Sequence, residues 1–194
     1  MTKDVISGLP EPLKYMMTSL RRCAWDDAAQ ESMTESSLSA VKFDKFSKYY
    51  CKQTGVKRQP KTNDALYKTC EGKWYFIEFK NGTIKKDEIY RKIYDSLIML
   101  QETDILPDFS YARNHIAYLL VYNKDKILQE KQIEKSEAKN VIHRHMEKKA
   151  ETIFCLFELE KLKGYLFFDV QTYTKEQFDS LFVKKYEIEE GVSV

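Results

Sequence analysis

The run Lys73 to Lys80 constrains this chain more than any other segment, because its side chains alternate in character and it ends on the turn signal Asn81-Gly82. Alternation places Trp74, Phe76, Glu78 and Lys80 on one face of a strand and Tyr75, Ile77 and Phe79 on the other. Apolar residues on both faces put that strand inside a sheet, where a carboxylate is rarely left without a partner or a metal. Glu78 and Lys80 are therefore an acid and a base, neighbours on one face of a buried strand.

A second strand-like run, Asp64 to Thr69, precedes it, and the two read as a hairpin. A two-residue loop at Glu71-Gly72 pairs Asp64 with Phe79 and sends its carboxylate to the wrong side. A three-residue loop, Cys70 to Gly72, with Gly72 left-handed in a bulge, sets Asp64 opposite Glu78. Glycine at the last loop position favours the second register. Beyond Thr83 the period becomes helical, with Ile89, Ile93, Leu97 and Leu100 on one stripe, so a helix is expected from about Ile84 to Glu102. The continuously apolar Ile116 to Tyr122 reads as a central strand covered on both faces.

Elsewhere the spacing of Leu13, Met16, Met17 and Leu20 predicts a helix over Glu11 to Arg21, and Thr34 is placed to cap a second helix reaching Tyr50 and ended by Gly55. Lys124 to Lys149 is long and charged and reads as an exposed helical excursion. Phe154 to Leu159 and Tyr165 to Val170 read as strands, and Thr174 with Gln177 forms a capping box opening a helix from Lys175 to about Val183. The expectation is one α/β domain over 1–194, with an N-terminal helical extension at 1–33 and the charged excursion at 124–150.

Composition narrows the function classes. Among 194 residues, 13 % are aromatic, which argues against disorder. The net charge of +2 is too small to identify a nucleic-acid binder, since local clusters matter more than the total. One such cluster flanks the acid-base pair: Lys57, Arg58 and Lys61 before it, and Lys85, Lys86, Arg91 and Lys92 after it, diluted by Asp87 and Glu88. Cys23, Cys51, Cys70 and Cys155 lack zinc-site spacing, and on a helix His143 and His145 diverge by about 200°. No apolar run reaches bilayer-spanning length and Met1 to Pro10 lacks a signal-peptide core, so a cytoplasmic protein without a membrane partner is expected.

Two facing carboxylates repel, and a Mg²⁺ or Mn²⁺ ion between them relieves the penalty and polarises a phosphodiester. Lys80 is then placed to act on the attacking water or on the charge of the transition state. Pro60, Asp64, then Glu78-Phe79-Lys80 at a strand end followed by a helix, resembles the PD-(D/E)XK nuclease superfamily. Glu-x-Lys occurs four times, beginning at Glu71, Glu78, Glu137 and Glu147, but only Glu78 lies in an apolar strand after an aspartate.

The resemblance implies a restriction-endonuclease-like mixed central sheet flanked by helices, an αβββαβ-type core with helical additions. It implies Mg²⁺ or Mn²⁺ held by Asp64, Glu78 and the Phe79 carbonyl, with Lys80 assisting attack by water on DNA. Arg91 and Lys92 are the candidate substrate contacts, and Glu35 or Asp44 the candidate further acid. The alternatives are a non-catalytic interaction or nucleic-acid-binding module on the same fold, an unrelated α/β binding protein, and a simple cross-strand salt bridge, worth about 0.2 to 1 kcal/mol.

Overall fold

The computed structural model describes residues 8–127 and 157–191. In chain order the elements are α1 (Glu11–Lys14), β1 (Met17–Ser19), α2 (Leu20–Cys23), β2 (Trp25–Asp26), β3 (Glu31–Ser32), β4 (Ser39–Lys42) and α3 (Phe43–Thr54). They continue with β5 (Ala65–Lys68), β6 (Trp74–Lys80), α4 (Lys86–Glu102), α5 (Phe109–His115), β7 (Ile116–Tyr122), β8 (Asp169–Thr174), α6 (Lys175–Gln177) and α7 (Lys184–Glu189). A six-stranded mixed sheet runs in the order β1-β4-β5-β6-β7-β8, and β2 and β3 form a separate ribbon. The pairs from β1 to β6 are antiparallel, whereas β6, β7 and β8 are parallel neighbours.

The hairpin β5–β6 takes the register that a three-residue loop requires: Lys68 pairs with Trp74 and Ala65 with Ile77, and the ladder ends there, one residue after Asp64. The loop closes with the Thr69 N–H donating to the Lys73 carbonyl at 2.9 Å, and Gly72 adopts φ +82°. A side chain at Gly72 would meet nothing within 4 Å, so only backbone strain opposes one. Gly72→Ala is expected to lower unfolding free energy by about 1–2 kcal/mol, the cost of a left-handed residue with a Cβ. Urea denaturation checks it; no loss would mean that the loop takes another conformation.

From β6 the chain crosses through α4 to β7, as expected from the alternation of apolar strand and amphipathic helix, and all seven residues of β7 are buried. Helices cover both faces. On one, α3 and α4 pack Phe43, Phe46, Ile89, Ile93 and Leu97 against Leu66, Phe76, Tyr118 and Leu120. On the other, Phe178, Phe182 and Tyr186 from the C-terminal helical segment pack on Tyr67, Ile77, Phe79 and Leu119.

Several local expectations yield to pairing between distant segments. The helix expected over Glu11 to Arg21 is broken, because Met17–Ser19 pairs with Ser39–Val41 and becomes an edge strand; Ser19 then caps α2 through the Arg22 N–H. The N-terminal segment is thus not simply helical: it supplies β1 and the β2–β3 ribbon. The helix expected from Thr34 begins only at Phe43, since β4 is claimed by β1 and β5, while its end at Gly55 (φ +75°) is as expected. Thr34 instead donates its hydroxyl to Asp179 at 2.6 Å.

The run expected as a strand over Phe154 to Leu159 lies outside the described residues up to residue 156; beyond it Leu159–Leu162 is a 3-10 turn, and Leu166 and Phe167 are buried without forming a strand. The expected strand Tyr165 to Val170 overlaps β8 only at Asp169 and Val170; β8 runs on to Thr174, its backbone continuing the ladder of β7. The Thr174–Gln177 capping box is present, and the helix runs on through a π-helical stretch Phe178–Val183 into α7. The charged excursion lies outside the described residues from residue 128 on, as do His143 and His145. Among the described residues no helix is long and apolar enough to cross a membrane.

Candidate functional site

The loop before β5 is held against the α3–α4 layer before it delivers Asp64. The Gln59 side-chain amide donates to Ser47 of α3 at 2.5 Å, and the Lys61 N–H donates to Asp95 of α4 at 2.9 Å. The Asn63 backbone N–H and side-chain amide both donate to the Ser96 hydroxyl, at 3.1 and 3.3 Å. Asp64 follows directly. Its N–H donates to the Ile77 carbonyl at 3.1 Å and its carbonyl accepts from the Phe43 N–H at 3.2 Å, so its backbone spans from β6 to the start of α3.

Its carboxylate then faces the end of β6. Oδ2 accepts the Phe79 N–H at 2.7 Å, a charge-assisted bond that fixes the side chain. Oδ1 lies 3.2 Å from Lys92 Nζ, and the same ammonium lies 2.6 Å from Glu78 Oε1. Lys80 Nζ reaches that oxygen too, at 3.1 Å. Asp64, Glu78, Lys80 and Lys92 are thus one cluster on the face of the sheet covered by α3 and α4. Glu78 is wholly buried, whereas the side chains of Lys80, Lys92 and Asp64 keep 16, 18 and 25 % of their exposure, so the cluster meets solvent over its lysines and Asp64.

Burial, and next the charge of Asp64, pushes the Glu78 carboxyl up to about 7 against the opposing pull of Lys92 and Lys80. For Lys92, burial alone would weaken the ammonium, but Asp64 and Glu78 outweigh it and hold the group above the ordinary lysine range. The two shifts describe one charge distribution: Lys92 is held positive, and Glu78 is pushed toward its neutral form.

Among the described residues no three His, Cys, Asp or Glu side chains gather as a metal site, so the donors on offer are two carboxylates and backbone. Those donors suit a hard divalent ion in two respects. Lys92 Nζ shows that a single cation reaches both carboxylates, and Glu78 Oε2 is buried with no hydrogen-bond partner among the described residues. Glu35 and Asp44 contribute no third acid. Glu35 is exposed and pairs with Arg21 at 3.0 Å, and Asp44 pairs with Lys48 at 3.7 Å within α3.

The two expected substrate contacts part ways. Arg91 is exposed and pairs with Asp95 one turn on at 3.6 Å. Lys92 turns into the cluster and is committed to the acids, because the helical stripe that buries Ile89 and Ile93 carries it toward the sheet. Two further residues escaped sequence reading. Ser96 sits among the apolar positions of α4, and a small polar residue there was the available sign of a loop anchor. Asn81 was read only as a turn signal; it is buried, and its amide donates to Asp26 and Glu31 of the β2–β3 ribbon, both at 2.9 Å. With the Asn123 N–H donating to the Lys80 carbonyl at 3.0 Å, this fixes the end of β6 from which Lys80 projects.

No protein-family model matches the chain, and neither curated proteins nor solved structures give a match.

Proposed function

We propose that the chain is a divalent-metal-dependent nuclease of the PD-(D/E)XK kind, acting on DNA phosphodiesters. The observation that carries this reading is the convergence of Asp64 and Glu78 on one cation position, with Lys80 on the same sheet face at the edge of solvent. The surrounding topology supports it. Antiparallel β4, β5 and β6 followed by the α4 crossover to parallel β7 has the strand relations of an αβββαβ core, although α3 stands between β4 and β5 instead of ahead of all three strands.

In this reading Asp64 and Glu78, with the Phe79 carbonyl, hold Mg²⁺ or Mn²⁺. Such an ion, when bound, polarises a phosphodiester oxygen and acidifies a water molecule. Lys80 is an ammonium beside Glu78 and has only donors to offer. Its part is therefore to orient the water and offset charge growing on the phosphate, rather than to remove a proton. The exposed Lys57, Arg58, Lys61 and Arg91 lie in the segments that flank the site and suit phosphate tracking, a salt-dependent contribution.

One observation favours a second reading, a non-catalytic interaction module: Lys92 already bridges both acids and, with Lys80, balances their charge, as a purely structural ion cluster would. Purified protein incubated with linear, nicked, branched and single-stranded DNA under Mg²⁺ or Mn²⁺ separates the two. Cleavage that stops with chelator and is abolished by Asp64→Ala is the expected result. Inactivity on every substrate, with no heat of Mn²⁺ binding, favours the module.

A further inference from the structure

The nuclease reading leaves Lys92 without a place, since a residue expected at the substrate stands where the ion is expected. We propose that Lys92 is a tethered counter-ion that fills the cation position between Asp64 and Glu78 in the metal-free protein, and that a divalent ion binds only in exchange for its ammonium. The inference rests on the metal-site reading above.

Three features of the cluster carry it. The ammonium bridges the two carboxylates, 3.2 Å from Asp64 Oδ1 and 2.6 Å from Glu78 Oε1, on the oxygens an ion shared by both acids needs. With both acids ionised, two carboxylates and two lysines already sum to zero charge, so an added divalent ion would face two ammonium groups in a partly dry site with no net attraction. Lys92 is the one that blocks entry, because among the described residues Lys80 pairs with Glu78 and not with Asp64, and does so at the same oxygen.

The chain is also built to let Lys92 go. Its side chain keeps 18 % exposure and ends in a compact charge on a flexible four-carbon stem, whereas the Asp64 carboxylate is fixed by the Phe79 N–H. Once displaced it remains tethered to α4 beside exposed Arg91. Apparent metal affinity is then reduced by the fraction of molecules in which Lys92 holds the acids.

Calorimetry with Mn²⁺ at a fixed pH of 8 tests this with no recourse to activity. Lys92→Met is expected to tighten Mn²⁺ binding by about tenfold or more over the parent chain. Lys92→Arg, whose planar guanidinium can clasp a carboxylate through two donors, is expected to weaken it. Thermal melts with and without Mn²⁺ report the same order, with the largest metal-induced rise in Lys92→Met. Equal or weaker binding by Lys92→Met overturns the proposal, and should that variant fail to fold, Lys92→Gln replaces it under the same criterion. Tighter binding without DNA cleavage by any variant leaves this inference standing and removes the nuclease reading. Metal-dependent cleavage by the parent chain with unaltered Mn²⁺ affinity in Lys92→Met does the reverse.

Discussion

Replacing Lys80 with alanine is expected to slow metal-dependent DNA cleavage by about 10²- to 10³-fold, the range for losing one positioned charge-stabilising group. The same change should move Mn²⁺ affinity by less than about tenfold, because the carboxylates hold the ion and Lys80 touches only one oxygen of Glu78. Two roles that a purely structural ion cluster would not separate come apart at this residue. Single-turnover cleavage and Mn²⁺ calorimetry on one preparation measure both. Parallel loss of turnover and metal binding would assign Lys80 to holding the acids in place; unchanged turnover would remove it from the chemistry.

The second large effect is on stability, and its sign depends on pH. The folded Glu78 carboxyl is raised from 4.5 to about 7, so between those values the folded chain keeps a proton that the unfolded chain has released. Its contribution is fully present below pH 4.5 and is lost as pH rises through 7. Glu78→Gln carries a neutral side chain of the same shape at every pH and lacks this dependence. With chelator present, the parent's stability relative to Glu78→Gln should therefore fall with rising pH from 5 to 8, by as much as about 3 kcal/mol. Lys92 does not blur the result, because its ammonium stays charged throughout that range. Urea unfolding at several pH values reads the difference directly. A flat difference, or one that grows with pH, would show that the lysines and not burial dominate the Glu78 environment.

The clustering of Asp64, Glu78 and Lys80 was more legible in the sequence than much of the fold, for a definite reason. Asp64, Glu78 and Lys80 lie within one hairpin, and their relative placement follows from strand alternation, one loop length and Gly72. Lys92 was legible only as a basic residue near the motif. Its turn toward the acids depends on the rotation of α4 over β6, which only the packing of Ile89, Ile93 and Leu97 decides. The anchors Ser96 and Asn81 belong to the same class, since each acts on a segment far away in sequence.

What the sequence determined by itself is the part governed by local rules: the β5–β6 hairpin and its register, the amphipathic α4, the buried β7 and the Thr174–Gln177 cap. Tertiary structure alone decided the edges. Met17–Ser19 and Ser39–Lys42 carry apolar spacing that suits a helix, but a strand partner on each side of β4 satisfies their backbone groups and buries Ala40 and Val41 on opposite faces. β8 reaches Thr174 because β7 offers it a ladder, an extent that the apolar run ending at Val170 did not show. A short segment's intrinsic preference for helix or strand is worth at most about 1 kcal/mol per residue, and the pairing and burial supplied by a neighbouring strand exceed it.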